Sequence, residues 1–347
     1  MNAKRTVVRT AVGLTVFLSG YLAAELLVAP LLADRPAIKR QYFVRDVDHR
    51  MPPDDPGIPT NEDGIRSRRR AGDFTPDGYN IVFLGDSFIY GYSLELEQTI
   101  PHVVEARLRE RFPERDVRVA SFARVSSSPL LSYRQLSDIG ARYRPDLVVL
   151  GLDMTDFHDD IKYEAMLARA GIYRWYDKLP MTLAVFRKVA PRTFWRVHGW
   201  SLSGALPEGV FFASGAPLSE TRPYLQTTLR NLDAIHRLSA SLGARFVLIV
   251  LPRSYQYSNR ESPLSWEKTA YDDLGPFSTE PFRFFREIEA SLAYPVYSLL
   301  STFLETEVFP TCFEDDPHWN ADGARVAAER IAEILEVEIE RPTAGGP

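Results

Sequence analysis

The feature that most constrains this chain of 347 residues is the run Ile81-Val82-Phe83-Leu84, which passes without a polar break into Gly85-Asp86-Ser87-Phe88-Ile89-Tyr90-Gly91. A continuous apolar run bounded by small turn residues reads as a strand buried on both faces, as in a parallel sheet packed between helices. The carboxyl end of such a strand opens onto the crevice where open α/β sheets bind their ligands. Ser87 therefore stands where a nucleophile would. Turn residues cluster at strand ends whatever the function, so Gly-Asp-Ser alone leaves an ordinary strand-to-loop turn as the alternative.

The far end of the chain adds a second constraint, Asp315-Asp316-Pro317-His318-Trp319-Asn320-Ala321-Asp322-Gly323. Asn320 is a good helix N-cap, and Val326, Ala327, Ile331, Ile334 and Leu335 give the following helix an apolar face. His318 thus sits at a helix entrance beside an acid, and these are the partners a serine nucleophile requires. Of the six histidines, only this one has an acid, a proline and a helix cap around it.

With both blocks in hand, the chain resembles the SGNH/GDSL hydrolase superfamily, whose serine lies in an early Gly-Asp-Ser block and whose acid and histidine lie in a late one. The resemblance covers residues 80–338. It implies an α/β fold, a flavodoxin-like three-layer α/β/α sandwich with a parallel sheet. It also implies ester chemistry on acyl groups, often O-acetyl groups of carbohydrates, without cofactor or metal. Carried over residue by residue, it makes Ser87 the nucleophile and His318 its base. The usual Asp-x-x-His form selects Asp315 as the acid, whereas the Asp-x-His form of some envelope-polysaccharide members selects Asp316. Local geometry favours Asp316, because Pro317 biases the residue before it toward an extended conformation and extended chains put residues two apart on one side.

The resemblance also implies three oxyanion donors. The first is the backbone N–H of Ser87. The second comes from a glycine in the loop after the second strand, but the corresponding stretch Ser121-Phe122-Ala123-Arg124-Val125-Ser126-Ser127-Ser128 has none, which leaves the N–H of Ala123 as the expected donor. The third comes from the asparagine of Gly-x-Asn-Asp, which here reads Asp153-Met154-Thr155-Asp156, so Thr155 stands in its place. Losing one such donor typically costs about 3 kcal/mol in the barrier.

The remaining chain supports alternating strands and helices. Strands are expected over 117–121, 147–152, 245–251 and 295–299, and helices over 98–111, 129–144, 219–242 and 279–292, an order that implies right-handed crossovers. With 45% hydrophobic and 25% charged residues the chain can bury a large core. The net charge of -5 and the lack of a long basic block argue against nucleic acid as a partner. Cys312 is the only cysteine, which excludes an internal disulfide; without basic neighbours it reads as a small buried hydrophobe rather than a nucleophile. Asp153, Asp156, Asp159 and Asp160 with His158 match no calcium-loop spacing, so no metal site is expected there.

Lys4, Arg5 and Arg9 precede an apolar segment that runs to Ala33 and is long enough to span a bilayer. Basic residues before the span favour a cytoplasmic N-terminus and a catalytic domain outside the plasma membrane. A cleaved signal peptide is the rival, disfavoured because no clean small-x-small site follows a short apolar core. Glu25 is costly in lipid and is tolerated near the outer interface or against a partner helix, the latter implying an envelope-biosynthesis partner protein. Residues 34–79 read as a charged, Pro-rich linker arm. Within it, Asn61-Glu62-Asp63-Gly64-Ile65-Arg66 resembles a pattern that precedes the serine block in membrane-anchored members, while the arginines from Arg66 to Arg70 read as a solvated loop. Residues 161–218 are expected as an insertion forming a lid or acceptor surface, and 339–347 as a disordered tail.

The resulting expectation is a membrane-anchored serine esterase or acyltransferase acting on O-acetyl esters of envelope or exported carbohydrate. A catalytically degenerate domain serving as a binding or assembly subunit is the alternative, suggested by the missing glycine and asparagine.

Overall fold

The computed structural model describes residues 2–28, 59–168 and 209–341, with isolated positions from 182 to 207. The expected arm over 34–58, the aromatic stretches 173–176 and 194–200, and the tail beyond 341 lie outside the described residues. The chain forms two compact units, Met1–Asp48 with Glu164–Ala205, and His49–Tyr163 with Leu206–Pro347. Most of the segment expected as an insertion thus groups with the N-terminal helix.

In the first unit, α1 (Asn2–Ala23) continues helically to Val28. Val8–Leu27 is long and apolar enough to cross a membrane, a property shared by anchors and signal sequences. Glu25 is fully buried, and its Oε2 accepts hydrogen bonds from Thr182 N (3.0 Å) and Oγ1 (3.2 Å). Tyr21 Oη lies 2.8 Å from the same Thr182 Oγ1. A lone carboxylate on an apolar helix needs such donors, and Glu25 finds them in its own chain.

The second unit is built on a parallel sheet of β1 (Tyr79–Leu84), β2 (Val117–Ser121), β3 (Leu147–Leu152), β4 (Arg245–Val250) and β5 (Val296–Ser298), in the order β2-β1-β3-β4-β5. Strand alternation divides the core into two layers. Ile81, Phe83, Val149 and Ile249 face α3 (Ile100–Arg111) and α9 (Ala321–Glu340), through Val104, Leu108, Ile331 and Leu335. Val82, Leu84, Val148 and Leu248 face α4 (Pro129–Ile139), α6 (Leu218–Ser241) and α7 (Glu280–Ile288), through Leu136, Leu232 and Phe284. The result is the expected three-layer α/β/α sandwich in flavodoxin-like order. The helix expected to reach 144 stops at Ile139 and tightens into a 3₁₀ turn over Gly140–Tyr143. Beyond β1 come α2 (Ser87–Tyr90) and, after β3, α5 (Asp156–Ala168); α8 (Leu300–Glu305) follows β5.

The described end of the expected linker arm, residues 59–79, is packed rather than loose. Asn61 Oδ1 accepts from Asp63 N (3.0 Å) and Ile65 N (3.3 Å), and Gly64 takes a left-handed φ of 70° that closes the turn. Asn61 Nδ2 donates to Tyr143 Oη and the Arg69 carbonyl. This turn delivers Arg66 into the domain, which corrects the reading of Arg66 as part of a solvated loop: it is buried.

Asp160 on α5 is also buried, and its Oδ1 accepts from Leu130 N (2.8 Å) in the first turn of α4. Burial pushes its carboxyl up to about 6. A pKa raised in the folded state gives stability that is full below the unfolded value and is lost as pH rises through the folded one. Asp160→Asn keeps the acceptor and removes the ionisation. Relative to the parent it should be stabilised by about 1–3 kcal/mol more at pH 8 than at pH 4, as read from denaturant midpoints.

Candidate active site

The site is assembled at the carboxyl edge of the sheet. β1 ends at Leu84, and Gly85 turns the chain with φ 151°, where an added Cβ would lie 2.7 Å from Ile89 Cγ1. Asp86 caps α2, its Oδ1 accepting from Phe88 N (2.9 Å), so Ser87 occupies the first position of that helix. The far end of α2 is held by Arg66, whose guanidinium donates to the carbonyls of Tyr90 (2.7 Å), Gly91 (2.7 Å) and Leu94. A helix of four residues satisfies few of its own carbonyls, and a buried cation at its C-terminus supplies the missing donors.

The histidine arrives from the other end of the chain. Thr311–Asn320 doubles back on itself, with Phe313 N donating to His318 O (3.1 Å) and Asn320 N to Thr311 O (2.9 Å). Asn320 Oδ1 caps α9 by accepting from Asp322 N and Gly323 N, while its Nδ2 donates to Pro310 O and Cys312 O. Glu261 braces the start of this turn by accepting from Thr311 N (2.8 Å) and Cys312 N (3.0 Å).

These supports bring together residues 231 positions apart: His318 Nε2 lies 2.7 Å from Ser87 Oγ. On the other side, His318 Nδ1 lies 2.5 Å from Asp316 Oδ1, which also accepts from His318 N (2.9 Å). Asp315 is exposed and has no hydrogen bond or ion pair among the described residues. The imidazole is flanked by the rings of Phe88 (5.0 Å) and Tyr92 (4.9 Å). Burial, and then the charge of Arg253, push its pKa below the ordinary histidine value against the pull of Asp316. Ser87 Oγ also lies 3.2 Å from Asp86 Oδ2. A hydroxyl carries one proton, and the shorter contact directs it to the imidazole.

The two further expected oxyanion donors, Ala123 and Thr155, lie in the loops after β2 and β3. Phe122 N donates to Phe83 O (2.7 Å) and Arg124 N to Gly85 O (3.2 Å), so β2 continues its pairing with β1 into the turn. Three residues beyond Ala123, Ser126 adopts the left-handed conformation (φ 57°) that normally calls for glycine. Its N–H has no acceptor among the described residues, and its carbonyl accepts from Tyr163 Oη (2.6 Å). Thr155 is otherwise occupied: its Oγ1 donates to Asp153 Oδ2 (2.6 Å), as does its N (3.0 Å).

Sequence reasoning missed Arg253, which lies just past β4. It is buried, with Nε and Nη2 on Asp153 (2.8 and 2.9 Å) and Nη1 on both oxygens of Glu267 (2.7 Å each). Its guanidinium also covers the rings of Phe88 (5.1 Å) and Phe211 (5.0 Å). Phe211 borders an open groove of about 510 Å³ shared with Phe212, Tyr255, Tyr271 and Phe277. Burial opposes the ionisation of Asp153, but the Arg253 charge outweighs it and holds that carboxyl below its usual range. Asp86 goes the other way, pushed up to about 8 by burial and then by the charge of Asp153. Asp156, which accepts from Asp153 N (2.9 Å), is likewise raised by burial. Among the described residues no cluster of His, Cys, Asp or Glu suits a metal ion. Cys312 is buried, its thiol pushed up to about 12 by burial.

No family model matches the chain, and no curated protein does. Among solved structures it is similar to the lipase/acylhydrolase from Enterococcus faecalis, at 13% identity over 77% of this chain and 100% of that one, with a TM-score of 0.43. It is similar to the psychrotrophic esterase EstA from Pseudoalteromonas sp., at 13% identity over 74% and 98% of the two chains, TM-score 0.40. A two-domain esterase active on acetylated mannans shares 15% identity over 80% of this chain and 54% of that one, TM-score 0.40. Likenesses this distant leave the chemistry to the chain's own residues.

Removing Arg66 would strand three carbonyls at the end of the serine helix. Arg66→Ala should destabilise the protein by about 2 kcal/mol or more in chemical denaturation. Arg68→Ala, which removes an exposed pairing with Glu97, should stay within about 0.5 kcal/mol.

Proposed function

We propose that this protein is a serine esterase or acyltransferase of the SGNH/GDSL hydrolase type. The observation that carries the reading is the unbroken chain from Ser87 Oγ through the His318 imidazole to Asp316, joined across 231 residues of sequence. Ser87 Oγ attacks an acyl carbonyl and its proton passes to His318 Nε2, while Asp316 holds the Nδ1 proton and stabilises the imidazolium. Collapse of the tetrahedral intermediate expels the alcohol, which takes the proton from Nε2 and leaves an acyl-serine. Water or an acceptor hydroxyl then attacks the acyl-serine by the same route in reverse. The N–H of Ser87, first in its helix, is the proposed oxyanion donor.

The favoured substrates are O-acetyl esters of envelope or exported carbohydrate, handled by a domain held outside the plasma membrane. The apolar helix Val8–Leu27, behind Lys4 and Arg5, supports that placement. The second reading, a non-catalytic assembly subunit, is favoured by one observation: the Thr155 hydroxyl is committed to Asp153 and offers the oxyanion nothing.

The deciding experiment follows acetate release from an aryl acetate and an O-acetylated glycan, together with labelling by a serine-directed phosphonate. Ser87→Ala should lose on the order of 10⁴-fold or more of the activity. Asp316→Ala should cost far more than Asp315→Ala. Equal rates for parent and Ser87→Ala, or an unlabelled parent, would leave the assembly reading standing. Because His318 must be neutral to accept the proton and its pKa is lowered, kcat/KM should fall on the acid side with a midpoint below about 6.5.

A further inference from the structure

We propose that Arg253 is a positioning residue of this site, a single guanidinium that ties the serine turn to the histidine loop and supplies the standing positive charge behind both. The inference rests on the ester chemistry proposed above and goes beyond it, since no sequence block marks this arginine.

The geometry carries it. Arg253 leaves the end of β4, and three of its contacts bear on the site. Its contact with Asp153 fixes the turn after β3, where Asp153 also holds Thr155 N and Oγ1. Its face lies over Phe88, the residue after Ser87, whose ring packs against both His318 and Trp319 (4.8 Å). Its Nη1 holds Glu267, on the segment that backs the histidine loop: Ser262 Oγ donates to Asp316 O (3.1 Å), and Leu264 N to Glu314 O (3.0 Å). One planar, forked cation therefore meets both halves of the Ser87–His318 pair without bonding to either. A lysine, with a point charge and no fork, cannot hold two carboxylates in these directions.

The charge acts on the imidazole as well. The titratable groups around His318 are Asp316 on its own loop, Tyr92 after α2, Asp86 beside the serine, Asp153 after β3, Glu267 and Arg253. Among these Arg253 is the cation, and it opposes protonation of His318. Its removal should raise the histidine pKa. Neutralising Glu267, which partly offsets that cation, should lower it. A purely structural role would not produce shifts of opposite sign.

The test is an NMR titration of the His318 ring in the full chain, paired with phosphonate labelling and steady-state kinetics. Arg253→Met should move the His318 pKa upward and Glu267→Gln downward. Arg253→Lys should leave it near the parent value, yet lower kcat about tenfold or more while KM changes less than about twofold. An unchanged His318 pKa in Arg253→Met, a shift of both variants in one direction, or wild-type kcat in Arg253→Lys overturns the proposal. Should Arg253→Met fail to fold, Glu267→Gln carries the electrostatic test alone, and an unmoved or raised pKa there overturns it. If the parent does not react with the phosphonate while the pKa shifts follow the expected signs, the ester reading falls and the electrostatic role of Arg253 stands.

Discussion

The larger unit depends on how one buried cation is neutralised. Arg253 lies between Asp153 and Glu267 with almost no access to solvent. Breaking a buried pair of this kind commonly costs about 3–5 kcal/mol, because the group left behind is charged and dry. Three carboxyls, those of Asp153, Glu267 and Asp86, act on this guanidinium, and not all of them keep a full negative charge. Asp153 keeps its negative charge, whereas Asp86 and Asp156 are driven toward the protonated form. Asp86 can therefore cap α2 while adding little negative charge beside Ser87, where negative charge would oppose an oxyanion.

Around that centre the sheet works as a jig. β1, β3 and β4 end side by side, so the turns after them deliver Ser87, Asp153 and Arg253 to one edge. The histidine has no strand of its own in that row; it comes from the loop before α9, whose inner face packs on the same sheet layer as α3. Rigid elements thus set the positions of groups that no short stretch of chain could hold together.

How much of this could be read from the sequence depends on the range of each interaction. The strand ending in Gly-Asp-Ser and the capped helix after His318 are local patterns, and both were legible, as was the layer order that follows from alternating elements. The contact of His318 with Asp316 rather than Asp315 is also a local matter, since Pro317 restricts its neighbour. The Arg253–Asp153 pair joins residues 100 apart, and nothing around either one announces the other. Arg66 looked like one of several arginines in a charged arm, because what distinguishes it is the carbonyls waiting at the end of α2.

One oxygen of Asp316 accepts hydrogen bonds from both the ring and the backbone N–H of His318, and two tilted aromatic rings lie against the imidazole. Such a side chain has essentially one rotamer open to it before any ligand arrives. The torsional freedom that a histidine gives up when it is ordered, commonly a good fraction of 1 kcal/mol, is lost during folding rather than on each encounter with substrate. The ring is therefore a fixed part of the receptor's shape, and a ligand that enters finds the direction of Nε2 already chosen.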